Sequence, residues 1–256
     1  KWAALEVRIA SLPQETHEMV GLGLQKVVDY QDIDYGADYL DMVEQIASHD
    51  AAPFDLSICA AKYCARALCY DDILRVADIK TRASRMERVK NEVIVKDDQI
   101  LMVTEYFHPR FEEFSATLPS SIGRWLQKRK GLEALYTKYF DKGRRVRTDS
   151  LSGFLMLWIV SSLRPYRRKL LRHSSEMAHV DTWFKAALAL AKDDRALAIE
   201  VLTNYRLIKG YSDTHVRGHS KFARVMGALD MLKGRSDAAD WMRRLRVAAL
   251  DDVKGD

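Results

Sequence analysis

The sequence has little of what holds small or irregular folds together: three cysteines, five prolines and twelve glycines in 256 residues. So few prolines and glycines argue against the closely spaced turns of a β-sandwich or small barrel. Three cysteines cannot build a disulfide scaffold. Cys59, Cys64 and Cys69 recur every five residues in one apparent helix. Five residues turn an α-helix by about 500°, which leaves neighbouring thiols pointing roughly 140° apart. They do not converge on one metal, and the sequence has no C-x-x-C pair. A zinc ribbon or an iron–sulfur cluster held by this chain alone is thereby excluded, and reduced, buried thiols suit a cytoplasmic protein. The longest apolar run, Gly153–Leu163, is about half the length that spans a bilayer, so it reads as a core helix and no membrane partner is expected. Phosphate-loop and dinucleotide motifs are missing, as are G-x-S-x-G and H-E-x-x-H. No signal peptide is expected, and a start at Lys1-Trp2 without Met suggests part of a longer chain.

What the sequence does contain is helix. Hydrophobic residues make up 48%, enough for a sizeable core. Tyr35, Tyr39, Met42, Val43 and Ile46 form a helical stripe, and Met19, Leu22, Val27 and Tyr30 form another within 14–31. Residues 54–68 are apolar or small almost throughout and predict a central helix. A further helix is expected from Tyr70 to Val93. The β-branched runs 92–96 and 100–107, separated by Asp97-Asp98-Gln99 and ended by Pro109, predict a short hairpin. Helices are also expected over 110–118, 120–130, 131–140, 151–163, 175–192, 194–207, 219–233 and 237–250, with 209–218 left as a loop. The expectation is a single mainly α domain over 1–256, an irregular assembly of about ten helices with one minor β-hairpin. Its core should include Leu40, Val43, Ile58, Leu68, Ile73, Leu155, Trp158, Ile159, Trp183, Leu188, Leu202, Val225, Leu229 and Leu245, with Trp241 a further anchor.

Charge is uneven. Residues 1–50 carry 3 basic and 10 acidic side chains, a net −7, whereas 101–256 carry 29 and 18, a net +11. Nine Lys or Arg fall between Arg124 and Arg147, and five more between Arg164 and Arg172. Arg144, Arg145, Arg147, Arg167 and Arg168 are candidates for a patch facing an anionic partner; a solvated face is the plainer reading. No helix-turn-helix or RNA-platform motif accompanies them, which disfavours nucleic acid. The alternative of a helical nucleic-acid- or phosphate-binding module rests on these clusters alone. The segment Gly210–His219 places Asp213, His215 and Arg217 close together between Gly210 and Gly218. Read as a site, Arg217 clamps an anion and Asp213 orients His215. Read as structure, Asp213 or Thr214 caps a helix and Arg217 is a buried tether. Gly21 and Gly23, inside a helical pattern, are read as close-packing positions. The paired aspartates, including Asp71-Asp72, are read as dipole complements or solvated charge. His17, His49, His173, His179 and His219 are scattered and read as surface or capping residues, so no catalytic residue and no metal ligand is assigned.

Three stretches carry a resemblance: residues 28–40 (VDYQDIDYGADYL), 67–84 (ALCYDDILRVADIKTRAS) and 207–222 (LIKGYSDTHVRGHSKF). They resemble the C-terminal helical domain of the beta subunit of indolepyruvate oxidoreductase in its long proteobacterial form, together covering the chain to about residue 233. The resemblance implies a thiamine-diphosphate-dependent 2-oxoacid:ferredoxin oxidoreductase that converts aryl pyruvates to aryl-acetyl-CoA and CO2. It implies that thiamine diphosphate, Mg2+ and the iron–sulfur clusters lie in the partner alpha subunit, with no cofactor in this chain. The partners it implies are that alpha subunit and an α/β domain preceding this segment in its own chain. The basic stretch could also face ferredoxin or CoA, both anionic. On this expectation the chain is an accessory domain for scaffolding or subunit contact.

Overall fold

The apolar periodicity resolves into fifteen α-helices, three 3-10 turns and one two-stranded sheet among the residues that the computed structural model describes: 1–94, 99, 101–107, 110–140, 144–210 and 212–252. The fold is mainly α, as the composition implies. The chain divides into two units, Lys1–Tyr70 with Met177–Asp256 and, between them in sequence, Asp71–Glu176.

The first unit opens with α1 (Trp2–Ala10), α2 (His17–Tyr30), α3 (Ile33–Ala47) and α4 (Asp55–Leu68). Asp32 caps α3, its Oδ1 accepting from the Tyr35 backbone N–H at 2.8 Å. Tyr35, Tyr39, Val43 and Ile46 are buried as the stripe requires. On α2 the buried face is Val20, Gly23, Leu24, Val27 and Tyr30, so Leu22 is exposed rather than part of the stripe. The face is set by α4, whose Ala60, Ala61, Cys64 and Ala67 are fully buried. Small side chains let the neighbouring helices come close. The Tyr39 hydroxyl donates to the Ala61 carbonyl at 3.0 Å, and a Cβ at Gly23 would lie 2.1 Å from the Tyr39 hydroxyl oxygen. Gly23 is thus a packing position; Gly21, with open space around its Cα, is not. Asp50, ahead of α4, accepts from the Ser57 backbone N–H at 2.8 Å and the Ser57 hydroxyl at 2.7 Å, which ties down the first turn of α4.

The second unit contains α5 (Ile73–Thr81), α6 (Ala83–Val93), β1 (Thr104–Phe107), α7 (Phe111–Ala116), α8 (Ser120–Gln127), α9 (Lys130–Phe140), β2 (Arg144–Arg147) and α10 (Leu151–Ser162). The single helix expected from Tyr70 to Val93 is two, because Arg82 is extended. Thr81 turns its hydroxyl back onto the Ala77 and Asp78 carbonyls just before the break. The antiparallel pair exists, but the described partner of β1 is β2, in the register Thr104↔Arg147 to Phe107↔Arg144, and 95–96 of the expected first strand lie outside the described residues. Glu92 and Val93 end α6, while the expected turn at Asp97-Asp98 and the stop at Pro109 lie outside the described residues. Glu105 on β1 fixes the sheet to the preceding helices, taking Lys80 at 2.5 Å on one oxygen and Arg85 on the other. Ser150 caps α10 through the Gly153 N–H at 3.2 Å. Of α10, Leu157 is buried, with Val160 beside it against Ala77 of α5. Leu155, Trp158 and Ile159, expected in the core, are exposed at 42%, 52% and 58%.

Asp72 does more than complement a dipole. It caps α5 through the Arg75 N–H at 2.7 Å and receives the Arg167 guanidinium on both oxygens, at 2.7 and 3.1 Å. Arg167, 1% exposed, follows α10 in a 3-10 turn. The paired, hydrogen-bonded carboxylate is what makes a buried guanidinium tolerable.

The chain returns to the first unit along α11 (Leu171–Ala191), then α12 (Arg195–Thr203), α13 (Ser212–Gly227), α14 (Leu229–Leu232) and α15 (Ala238–Asp251). His173 lies inside α11, not at its cap. Trp183 anchors the core, its indole N–H donating to the Val201 carbonyl at 2.8 Å, whereas Trp241 is 37% exposed and bonds Asp237 at its own helix start. Asp194 caps α12. Arg195 reaches Asp50 at 3.0 Å, and Arg246 of α15 reaches the Glu200 carboxylate and the Asn204 side chain on the other side of α12. No described helix is long and apolar enough to cross a membrane.

Two outcomes test this packing. Gly23→Ala should cost about 1–3 kcal/mol of stability by overpacking against Tyr39, read as a fall in the thermal midpoint, and Tyr39→Phe should restore part of it. Burial, then Arg168 and Arg167, lowers the His173 imidazole from its ordinary 6.5 to about 4. The unfolded chain therefore binds the extra proton first. Stability is full above pH 6.5 and is lost as pH falls toward 4, by up to about 3 kcal/mol. His173→Gln should flatten that stretch of the pH–stability curve.

Candidate functional site

The segment expected as a loop is a helix start. Gly210, with φ +71°, turns the chain into the left-handed region, and α13 begins at Ser212 with Asp213 in its first turn. Residues two apart on a helix point about 200° from one another. Asp213 and Arg217 are accordingly exposed, while His215 between them is 8% exposed. The helix therefore does not gather Asp213, His215 and Arg217 on one face, and Arg217 is not a buried tether. Tyr211 lies outside the described residues. Gly218 has a packing role: a Cβ there would meet the Leu207 carbonyl oxygen at 2.8 Å and the Ile208 Cα at 3.3 Å. It seats α13 directly on the backbone of 207–208.

What the helix does bring together is histidine. His215 and His219 are four residues apart, one above the other on one face. Their Nε2 atoms are 3.1 Å apart and their ring centroids 4.3 Å apart. His179 of α11 packs edge-on against His219, centroids 4.5 Å apart, and against Phe222 at 4.8 Å. Tyr205 stands 6.0 Å from His179 and 4.7 Å from Trp183. Three imidazoles thus sit against an aromatic wall on two helices of the first unit. Two nitrogens at 3.1 Å cannot both carry protons on the shared side; one donates and the other accepts, or both bind a cation. The spacing His215-x-x-x-His219 was readable in the sequence. His179 was not, because only the packing of α11 on α13 brings it there.

The remaining expectations fall apart from this cluster. Arg145 is exposed and lies over the Tyr106 ring at 5.6 Å. Arg147 is exposed and paired with Asp149 at 2.5 Å. Arg168 is exposed, and Arg167 is spent on Asp72 inside the second unit. Neither the Arg144 side chain nor Lys142 is among the described positions. The three thiols reach three different neighbours: Cys59 faces the Ile199 carbonyl and Thr203 of α12, Cys64 lies in the core, and Cys69 faces the Lys26 carbonyl. Burial pushes the Cys59 thiol up to about 11 and the Cys64 thiol further in the same direction. Neutral thiols that diverge are packing groups rather than a ligand set.

Residues 16–228 match the family of unknown function DUF6537. The chain belongs to the DUF6537 family. No curated protein and no solved structure matches it. The match takes in the whole second unit and, in the first, everything from the turn before α2 through α13, so the histidine cluster lies within the DUF6537 region.

Gly218→Val in this DUF6537 chain should lift α13 off residues 207–208. Thermal stability should fall by about 1–3 kcal/mol, and the imidazole NMR signals of His215 and His219 should change while that of the exposed His49 does not.

Proposed function

We propose that this chain is a protein-contact domain of an indolepyruvate:ferredoxin-type oxidoreductase, an accessory domain of the beta subunit that docks on the alpha subunit and carries no reaction of its own. The sequence words at 28–40, 67–84 and 207–222 support the family side of this reading. The contact side is carried by one observation, the exposed apolar surface of α10. A helix that is apolar all round is ordinarily buried. Here Leu151, Phe154, Leu155, Trp158 and Ile159 are all more than a third exposed on one helix. Surface of this kind is typical of an interaction site. Its surroundings are basic: Arg145, Arg147, Arg168 and Lys169 are exposed nearby in sequence or on β2, and the second unit carries 22 basic and 14 acidic residues, a net 22 − 14 = +8. An apolar centre within a basic field fits a partner surface that is apolar with acidic margins. That chemistry suits a protein partner better than bare phosphate, because phosphate gives Trp158 and Ile159 nothing to bury against.

The test is co-purification of the complete beta subunit with alpha. Trp158→Glu and Ile159→Glu, both at exposed positions, should leave the helical circular dichroism and thermal midpoint unchanged and weaken subunit association at least tenfold, with 2-oxoacid oxidation falling in step. Association that survives the double change intact overturns the assignment of α10. Steeply salt-dependent binding of RNA or DNA by the isolated chain would instead support a nucleic-acid module.

A further inference from the structure

We propose that His215 and His219 form a binding site for a divalent transition-metal ion of the zinc class, with His179 as the positioning residue that fixes the His219 ring. The inference concerns the first unit and is independent of the contact reading above.

The argument begins with the helix. Imidazoles at i and i+4 project from one face one turn apart, the spacing by which a helix offers two nitrogens to a single metal. Not every such pair converges, since the rings must also turn their Nε2 atoms inward. Here they do, to 3.1 Å. Two nitrogens bound tetrahedrally to one zinc at about 2.0–2.1 Å lie about 3.3–3.4 Å apart. The observed pair needs to open by only a few tenths of an ångström to admit the ion. The same geometry also describes a hydrogen bond in which one Nε2–H donates to the other Nε2. Metal binding replaces that bridging hydrogen: the donor ring carries its proton on Nδ1 instead, both Nε2 lone pairs go to the ion, and no proton is lost or gained.

The surroundings hold the pair in place. Gly218 sets the intervening turn of α13 against the backbone of 207–208. His179 packs its edge on the His219 ring and in turn rests on Phe222 and Tyr205. His215 is buried and His219 half-buried, so rotation away from each other is restricted. Two protein nitrogens leave the remaining positions open to water or to a further ligand.

The experiment uses the intact 256-residue chain, treated with chelator and then titrated with Zn2+ and Co2+. We expect one ion per chain by calorimetry with micromolar affinity, and visible absorption bands on Co2+ addition. His215→Gln and His219→Gln should each weaken binding at least tenfold, and His49→Gln, at an exposed position, should leave it unchanged. His179→Phe, which keeps the ring packing, should change affinity less than either ligand variant while altering the Co2+ spectrum. Should the variants fold poorly, imidazole 15N spectra of the unaltered chain provide the reading, because Zn2+ must move the Nε2 resonances of His215 and His219. Absence of binding, or binding that persists in the His215→Gln/His219→Gln double variant, overturns the proposal and leaves a hydrogen-bonded histidine pair.

Discussion

The first unit depends on how closely other helices can approach α4. Its buried face is built from Ala60, Ala61, Cys64 and Ala67. Side chains this short bring helix axes together and leave little tolerance for added volume. Tyr39 fills the space between α2, α3 and α4 with its ring and places its hydroxyl on the Ala61 carbonyl. Burial drives that phenol well above its usual range, so it remains a neutral donor. Gly23 has no side chain because the Tyr39 hydroxyl occupies the position. On the far side, α12 places Leu197, Ala198, Val201 and Leu202 in the same core, and Trp183 is fixed through Val201. The histidine cluster depends in part on this arrangement, since of the aromatic wall behind His179 the 3-10 extension of α12 supplies Tyr205 and α12 fixes Trp183, while Phe222 comes from α13.

Much of this was legible in the order of residues. The stripe from Tyr35 to Ile46 and the small-residue helix from Asp55 to Leu68 each mean the same thing in sequence and in space, because a helix period is local. Periodicity reports which residues share a face but not whether anything covers it. Leu155, Trp158 and Ile159 have the composition of a core and the exposure of a surface for that reason. The segment 209–218 failed in the opposite sense. Its glycines and polar residues suggested a loop, yet Gly210 supplies the turn and Gly218 the close approach that allow a helix to begin there. Asp72 and Arg167 are 95 positions apart, and no local rule pairs them. The antiparallel strand partner of β1 is hidden on the same ground, since it lies some 40 residues downstream among basic side chains that suggest a charged surface rather than a strand.

The two units differ in chemical character. The first carries 19 basic and 22 acidic residues, a net −3, with Trp183, Tyr205 and His215 buried; the second is net +8 with Trp125, Trp158 and Ile159 exposed. Ionic contacts follow the same division. In the first unit Asp50 and Glu200 bind arginines that hold α12 from both sides. In the second, Glu105 and Asp72 each take up guanidinium charge that would otherwise add to an already basic surface.

The sequence order of the units also bears on how the molecule is made. The polypeptide leaves the first unit at Tyr70 and rejoins it at Met177, so the intervening 106 residues are complete before α12, the late partner of α4, has been synthesised. On a ribosome the middle segment can reach its final form early, whereas α4 emerges with an apolar flank that α12 covers only late in translation. Closing contacts over so long a separation in sequence is slow by nature. The half-built first unit is therefore the stage at which chaperone engagement or misassembly would concentrate.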